Sequence, residues 1–573
     1  MGIKEFFGIG GKIDKDRRVF AIDQKFSDID TAGFPERRDD LEEHPFLLKI
    51  FHINDLHCNI HTFDDDYSTM PVFSKIVNEV EKERRISKNQ PNTGVLFLSA
   101  GDDSTGSPMD HLTGYDGKDF ICHPVYSAFG LAGVNATILG NHDFDTGLET
   151  LKKSIKNNPV FPVLSANLEH NGELDGLVYP CAVVVIKGVR IGIIGITTPG
   201  QIRSREGSIF SINNPLKSVE EYYKKLSPFC DSIIILSHLG YKLGSTFAAV
   251  KIMGDVELAS CLNEQKIDLI IGGHTHDFLN INGLEIKNII NDIPILQAGF
   301  NGIFYGKSIL RISNDNCLIK TSVLPTGNIV SNRKFDLEYE NSDAGRSIIT
   351  LKKSIGIIDL KGKYKNINYA LFKDSFENPM ANFITDSMVS VLNKTSYKIN
   401  FSLIDGTSMM KFFDLERKNI TIADIYYLMP YADTIVLLNI TGKKLEEIII
   451  ENIKRINKDG KHNIDRGFLH FSKEIRYKID PAGNSLLDIS IDNISLETCY
   501  DKSFTLAMPN YVQGLSRSWE KSEAANGIIL KGFKDIQKKD TGLYVRNELT
   551  KYVRENGVSE ESGFLLDGRL ELK

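Results

Sequence analysis

From Phe46 to about residue 310, short apolar runs rich in β-formers alternate with helical stretches, which reads as an α/β domain. The runs are LLKIFHIND, VLFLSAGDD, ATILGNHD, FPVLSAN, AVVVIKGVRIGIIGITTP, SIIILSHLG, DLIIGGHTHD and IPILQAGF. Each is strand-sized and nearly continuous in apolar residues, the pattern of strands covered on both faces. IKGVRIGI reads as a hairpin with Lys187-Gly188 at its turn, so the sheet is expected to be mixed. Residues 1–45 are charged, lack clear periodicity and read as an extension. The first domain is then 46–334. A charged stretch (RKFDLEYENSDAGRS) followed by an amphipathic helical pattern makes 335–365 a helical connector. A second α/β domain, 366–573, has strand candidates at YKINFSLID, TIVLLNIT, EIRYKID and SFTLAMP.

Length and charge narrow the classes. A chain of 573 residues exceeds a single ordinary core. Its 41% hydrophobic and 25% charged residues are those of a soluble globular protein, and a formal charge of −7 argues against a nucleic-acid polymer as partner. The longest apolar runs, such as Ile191–Ile196 and Ile233–Leu236, fall far short of the roughly 20 residues that span a bilayer. The start, MGIKEFFGIGGKIDKDRRVF, shows no secretory pattern, and Phe6 stands where a myristoylation motif wants Ser or Thr. Seven scattered cysteines with no CxxC pair suit reduced thiols, so a cytoplasmic location is expected. Nothing in the sequence sets an oligomeric state.

Polar residues with metal-ligand chemistry gather at the carboxyl ends of the predicted strands, where open α/β sheets build their sites. Asp55 and His57 end the first run and Asp102 the second. Asn141 and His142 end the third, His238 a later one, and His274 and His276 the GGHTH run. Residues two apart on extended chain point to one side, so Asp-x-His and His-x-His are expected to face one metal each. Histidine with carboxylate suits zinc, manganese, iron or cobalt better than magnesium or calcium. Eleven of the 13 histidines precede residue 280, which assigns this chemistry to the N-terminal half.

DLHCN, GDDSTGSP, GNHDFD, SHLG and GGHTHD together resemble the successive motifs of the calcineurin-like metallophosphoesterases, and their order is most similar to the 5'-nucleotidase and UDP-sugar hydrolase branch. The resemblance is strong over about 46–325 and continues weakly through NPMANFITDSM, YLMPYADTIVLLNITGKKL and FTLAMPNYVQG. It implies a four-layer α/β/β/α sandwich followed by a substrate-binding α/β domain. It also implies two divalent cations. Asp55, His57 and His276 would hold the first, Asn141, His238 and His274 the second, and Asp102 would bridge them. His142 would face the substrate and stabilise the transition state or protonate the leaving oxygen. Asp145 would orient His142 and raise its pKa. Asp143, where this branch often has Glu, is expected to have no catalytic role.

The second domain departs from that branch. DGTSMM (Asp405 to Met410) stands where the resemblance calls for an Asn-Gly-Gly-Gly-Ile-Arg loop, so Asp405 replaces asparagine and Met410 replaces a phosphate-binding arginine. Methionine cannot bind phosphate bidentately, and an unpaired Asp405 charge would repel an anion. Asp405, Thr407, Tyr431, Tyr511 and Arg517 are the candidate substrate-binding residues, with Trp519 as an alternative ring. The leading expectation is a two-metal phosphohydrolase of nucleotides, nucleotide sugars or other small organophosphates. A narrower alternative is a phosphatase for a non-nucleotide monoester, such as a phosphorylated sugar or glycerate derivative. The alternatives of other classes are an inactive binding protein and a thiosulfate-ester hydrolase.

Overall fold

A computed structural model describes residues 3–7, 16–23, 31–63, 69–158, 160–198, 210–242, 253–364, 376–411, 414–456, 464, 467–482, 485–510, 512, 533 and 536–573. The chain forms two compact units, the first reaching Ile348 and the second beginning at Ile349.

The first unit contains two large sheets. One has seven strands in the order Val178–Tyr179, Val163–Leu164, Ala136–Ile138, Thr93–Ser99, Phe46–Ile53, Phe304–Ile312 and Cys317–Pro325. The other has eight, in the order Ile3–Phe6, Arg17–Ile22, Cys181–Ile186, Val189–Ile196, Ser232–Ser237, Leu269–Ile271, Ile293–Leu296 and Ile289–Ile290. Leu48, Ile50, Leu98 and Ile138 of the first pack with Val184, Ile191, Leu236 and Ile271 of the second. The opposite face of the eight-stranded sheet buries Ile194, Ile235 and Ile270 against Val219, Tyr222 and Leu226 of helix Pro215–Leu226 and Leu258 of helix Asp255–Cys261. Helix Phe73–Lys88 covers the outer face of the seven-stranded sheet, where Phe73 stacks on Phe97. The result is the α/β/β/α sandwich. Strands such as Ser232–Ser237 are buried at every residue because both faces are covered, hence their unbroken hydrophobic run.

Both sheets are mixed. Phe46–Ile53 runs parallel to Thr93–Ser99 and antiparallel to Phe304–Ile312. Cys181–Ile186 and Val189–Ile196 form the hairpin, with positive φ at both Lys187 (50°) and Gly188 (83°), as a tight primed turn demands.

The reading of residues 1–45 as a separate extension requires correction. Ile3–Phe6 and Arg17–Ile22 pair with each other, and Arg17–Ile22 extends the eight-stranded sheet along Cys181–Ile186. Val19 and Ala21 enter the inter-sheet core, while Phe20 and Ile22 enter the helix-side core. Alternation this short, flanked by charges, is invisible to periodicity and becomes a strand only against its partner. The connector comprises two helices, Arg333–Glu340 and Asp343–Leu351, and the division between units, after Ile348, falls within the expected 335–365.

The second unit has a five-stranded sheet, ordered Leu469–Phe471, Phe401–Asp405, Ser503–Pro509, Thr434–Thr441 and Lys538–Tyr544. A smaller four-stranded sheet includes Ile475–Asp480 and Leu570–Leu572. Helices Pro379–Asn393, Ile422–Leu428, Gly442–Ile453 and Val545–Asn556 complete it.

Candidate active site

Five of the seven proposed metal donors stand in left-handed backbone conformations at strand ends. Their φ values are 49° at Asp55, 48° at His57, 53° at Asp102, 76° at His274 and 58° at His276. Non-glycine residues there are strained by about 1–2 kcal/mol each and persist only when the surroundings hold them. Alternation along extended chain is therefore not what brings Asp55 beside His57, and His274 and His276 enter different donor groups rather than facing one metal, so both expectations are corrected. Loop-to-loop hydrogen bonds place these residues. Asp55 N donates to Gly101 O at 2.9 Å, His57 N to Asp102 O at 2.9 Å and Cys58 N to Asp103 O at 3.0 Å. His274 N donates to both carboxylate oxygens of Asp55, at 3.1 and 2.9 Å. Approach is so close that a Cβ on Gly140 would lie 2.1 Å from Asp102 Oδ1.

Two donor groups result. Asp55, His57 and His276 form one, and Asp102, His238 and His274 the other, with one ligand atom of each residue within 4.8 Å of the others in its group. Asp55 Oδ1 is 3.3 Å from His276 Nε2, which lies 3.2 Å from His57 Nε2. His57 Nδ1 sits 3.1 Å from Thr105 O, and His238 Nδ1 sits 2.6 Å from Ala100 O. Each carbonyl fixes the proton on Nδ1 and leaves Nε2 as the donor of a lone pair. His238 Nε2 is 3.0 Å from Asp102 Oδ2.

The electrostatics favour cations. Burial opposes the negative charge on Asp55 and Asp102, yet His238 together with His276 at Asp55, and with His142 and His57 at Asp102, holds both carboxyls below their ordinary range. Burial likewise opposes a charge on His238, but Asp102 and Asp55 push it up to about 10. Burial lowers His57 and His274 to about 4, which keeps both rings neutral near pH 7. Asn141 is buried and its Oδ1 has no hydrogen-bond partner among the described residues. Two buried carboxylates, imidazoles held neutral at His57 and His274 and an unsatisfied amide oxygen fit divalent cations of the zinc, manganese, iron or cobalt type.

His142 stands beside these groups, its ring edge-on to His57 with centroids 5.3 Å apart. Its N–H donates to Asp102 Oδ1 at 2.8 Å, and its Nδ1 lies 2.7 Å from Asp145 Oδ2. Asp143 turns inward. It is buried and accepts from Gly140 N at 2.8 Å, Ser104 N at 3.1 Å and Ser104 Oγ at 2.7 Å, tying the GDDS loop to the GNHD loop. Burial and the Asp102 charge push its carboxyl up to about 6.

Sequence reasoning passed over several residues that hold the donors. Asn54 Nδ2 donates to Asp55 Oδ2 at 2.7 Å, and its Oδ1 accepts from Ala298 N at 2.8 Å. Gln297 Nε2 donates to Gly273 O at 2.6 Å. Both are polar residues at the end of an apolar run, a signal the sequence does carry. Asp255 accepts from Ser237 Oγ at 2.5 Å, beside His238, and nothing in its own neighbourhood announces that.

In the second unit, Asp405 is buried and accepts from Thr407 Oγ1 and Ser408 Oγ within its own turn. These bonds make Asp405 a residue that shapes its loop. Thr407 is turned to Asp405. Met410 and Tyr431 are exposed, 45% and 36%. Tyr511, Arg517 and Trp519 lie outside the described residues.

Comparison with known proteins bears on the same segments. Residues 48–278 match the calcineurin-like phosphoesterase family, and residues 362–520 match the 5'-nucleotidase C-terminal domain. The chain carries a calcineurin-like phosphoesterase domain followed by a 5'-nucleotidase C-terminal domain. It is similar to mouse 5'-nucleotidase, 25% identical over 481 residues that cover 75% of this chain and 76% of the relative. A putative 5'-nucleotidase from Staphylococcus aureus shares the fold with a TM-score of 0.65 and 18% identity, over 92% of this chain and 99% of the other. A 5'-nucleotidase precursor from Thermus thermophilus does so with a TM-score of 0.55 and 22% identity, over 92% and 99%. The phosphoesterase match spans every donor of the two groups, from Asp55 to His276. The chain is thus a hydrolase acting on phosphate esters.

Proposed function

We propose that this phosphoesterase is a two-metal phosphohydrolase that cleaves nucleotides or related small phosphate esters. The observation that carries the reading is the pairing of two buried donor groups with the His142–Asp145 couple at their edge. Asp55, His57 and His276 would hold one cation, and Asn141, His238 and His274 the other, with Asp102 shared. Such a pair supplies Lewis-acid stabilisation of the phosphoryl oxygens and lowers the pKa of water.

The chain's own residues orient and protonate. Asp145 accepts from His142 Nδ1, which leaves Nε2 to carry the proton delivered to the leaving oxygen. Asp102 fixes the backbone of His142 through its N–H, so the acid and the donor cluster keep one geometry. Asn54, Gln297 and Asp143 keep the loops that carry the donors in place.

A second reading, a non-nucleotide monoester as preferred substrate, draws on Met410 and Asp405. The former offers phosphate no cation, and the latter is consumed within its turn. The test is hydrolysis of a panel of phosphomonoesters, cyclic nucleotides and UDP-sugars with manganese and with zinc. Metal-dependent release of phosphate from AMP or a UDP-sugar supports the nucleotide reading. Activity confined to sugar phosphates or phosphoglycerates supports the second. No metal-dependent hydrolysis of any of them overturns both. The scattered, odd-numbered cysteines support the cytoplasm as the proposed compartment, which cell fractionation checks.

A further inference from the structure

His123 is buried at 2% exposure and belongs neither to the two donor groups nor to the His142–Asp145 couple. It caps helix Pro124–Ala132. Its Nδ1 accepts from Tyr126 N at 3.0 Å, and its ring stacks on that of Tyr126 with centroids 3.9 Å apart. Burial lowers the ring to about 3, so it stays neutral and carries a single proton. With Nδ1 accepting, that proton is on Nε2.

Nε2 lies 2.9 Å from Ser104 Oγ. The hydroxyl therefore accepts from the ring and sends its own proton to Asp143 Oδ1, 2.7 Å away. The other oxygen of Asp143 accepts from Gly140 N at 2.8 Å. Donors from both ends thus converge on one carboxylate, and the tautomer of His123 fixes the direction of the row. Ser104 follows Asp102 by two residues, while Gly140 directly precedes Asn141 and packs against Asp102. The row ends on the buried side of the shared carboxylate and the amide donor. Without the ring's proton, the Ser104 hydroxyl loses the partner that sets its rotamer.

We infer that His123 is a positioning residue that acts through Ser104 and Asp143 to hold the Asp102 and Asn141 loops at the spacing the two cations need. This rests on the two-metal reading and deepens it.

The experiment separates the cap from the row by titrating manganese calorimetrically into the full-length protein stripped of metal. Asparagine is among the best cap residues but is too short to reach Ser104, whereas glutamine carries an amide N–H as far out as Nε2 and caps poorly. His123→Asn should keep the thermal midpoint near native and weaken the looser manganese site about tenfold, the low end of what a partner behind a metal ligand contributes. His123→Gln should lower the midpoint yet restore most of that affinity. Ser104→Ala should match His123→Asn, and the two together should weaken binding no more than either alone, because they break one row. If affinity instead follows the cap, native in His123→Asn and weak in His123→Gln, His123 is a helix cap only and the inference fails. Additive losses in the double variant overturn it as well. Should His123→Asn not fold, native affinity in Ser104→Ala overturns it. A native protein that takes up fewer than two manganese ions removes the two-metal reading and the inference with it. Two bound ions with unaltered affinity in His123→Asn and Ser104→Ala remove the inference alone.

Discussion

His142 Nδ1 lies 2.7 Å from Asp145 Oδ2, with the carboxylate side chain almost fully enclosed and the ring one-fifth exposed. The acid is thus held on one side and open on the other, as a positioned proton donor requires. His142→Ala should lower kcat by about 10²–10⁴-fold while two metals per chain remain bound. Asp145→Asn should give a milder loss of kcat with metal retained. Metal analysis beside steady-state kinetics checks both, and loss of metal in His142→Ala would make His142 a ligand instead.

Asp102 reaches both His142, through Oδ1, and His238, through Oδ2. Its removal leaves the second donor group without its carboxylate and unlinks the two groups. Asp102→Ala should abolish nearly all hydrolysis and reduce bound metal. Near-normal turnover with two metals bound would sink the site assignment.

Gly140 tests the packing of the loops rather than the ligands. A Cβ there would lie 2.1 Å from Asp102 Oδ1 and 2.6 Å from Asp102 N, so Gly140→Ala must displace the shared carboxylate. Metal content and activity should both fall while circular dichroism retains the native secondary structure. Full activity in this variant would show that the loop relaxes without moving Asp102.

His52 gives a pH-dependent prediction away from the ligands. It is fully buried, neither ring nitrogen has a hydrogen-bond partner among the described residues, and burial lowers it to about 4. An unfolded histidine titrates near 6.5, so between about pH 6.5 and 4 the unfolded state binds the extra proton. Native stability is complete above that window and is lost as pH falls through it, by up to about 3 kcal/mol from this group. His52→Leu should flatten the fall in thermal midpoint across the window. An unchanged slope would mean that the ring is not held neutral in the fold.

Met410 is exposed where the resemblance calls for arginine. A charged hydrogen bond to phosphate contributes about 1.5–3 kcal/mol, and about 1.4 kcal/mol is tenfold in affinity. AMP should therefore show a high KM in the native protein, and Met410→Arg should lower it by about tenfold or more with little change in kcat. If AMP already has the highest kcat/KM of the panel, the cation is supplied from elsewhere.

The sequence by itself determined the strands of the sandwich and marked the candidate donors at their ends. Unbroken runs such as SIIILS and VLFLSA can only be strands covered on both sides, and local chemistry marks Asp55, His57, Asp102, Asn141, His238, His274 and His276. It also carried the Lys187-Gly188 turn, which depends only on its two residues. Tertiary structure decided how the donors meet. His57 and His276 are 219 residues apart and come within 3.2 Å because loops from both sheets hydrogen-bond to one another. Those bonds force Asp55, His57, Asp102, His274 and His276 into left-handed turns that no local preference would select. The N-terminal strands, the inward turn of Asp143 and the closure of Asp405 on Thr407 and Ser408 belong to the same class. Each is settled by a partner distant in sequence or by a backbone bend, and periodicity records neither.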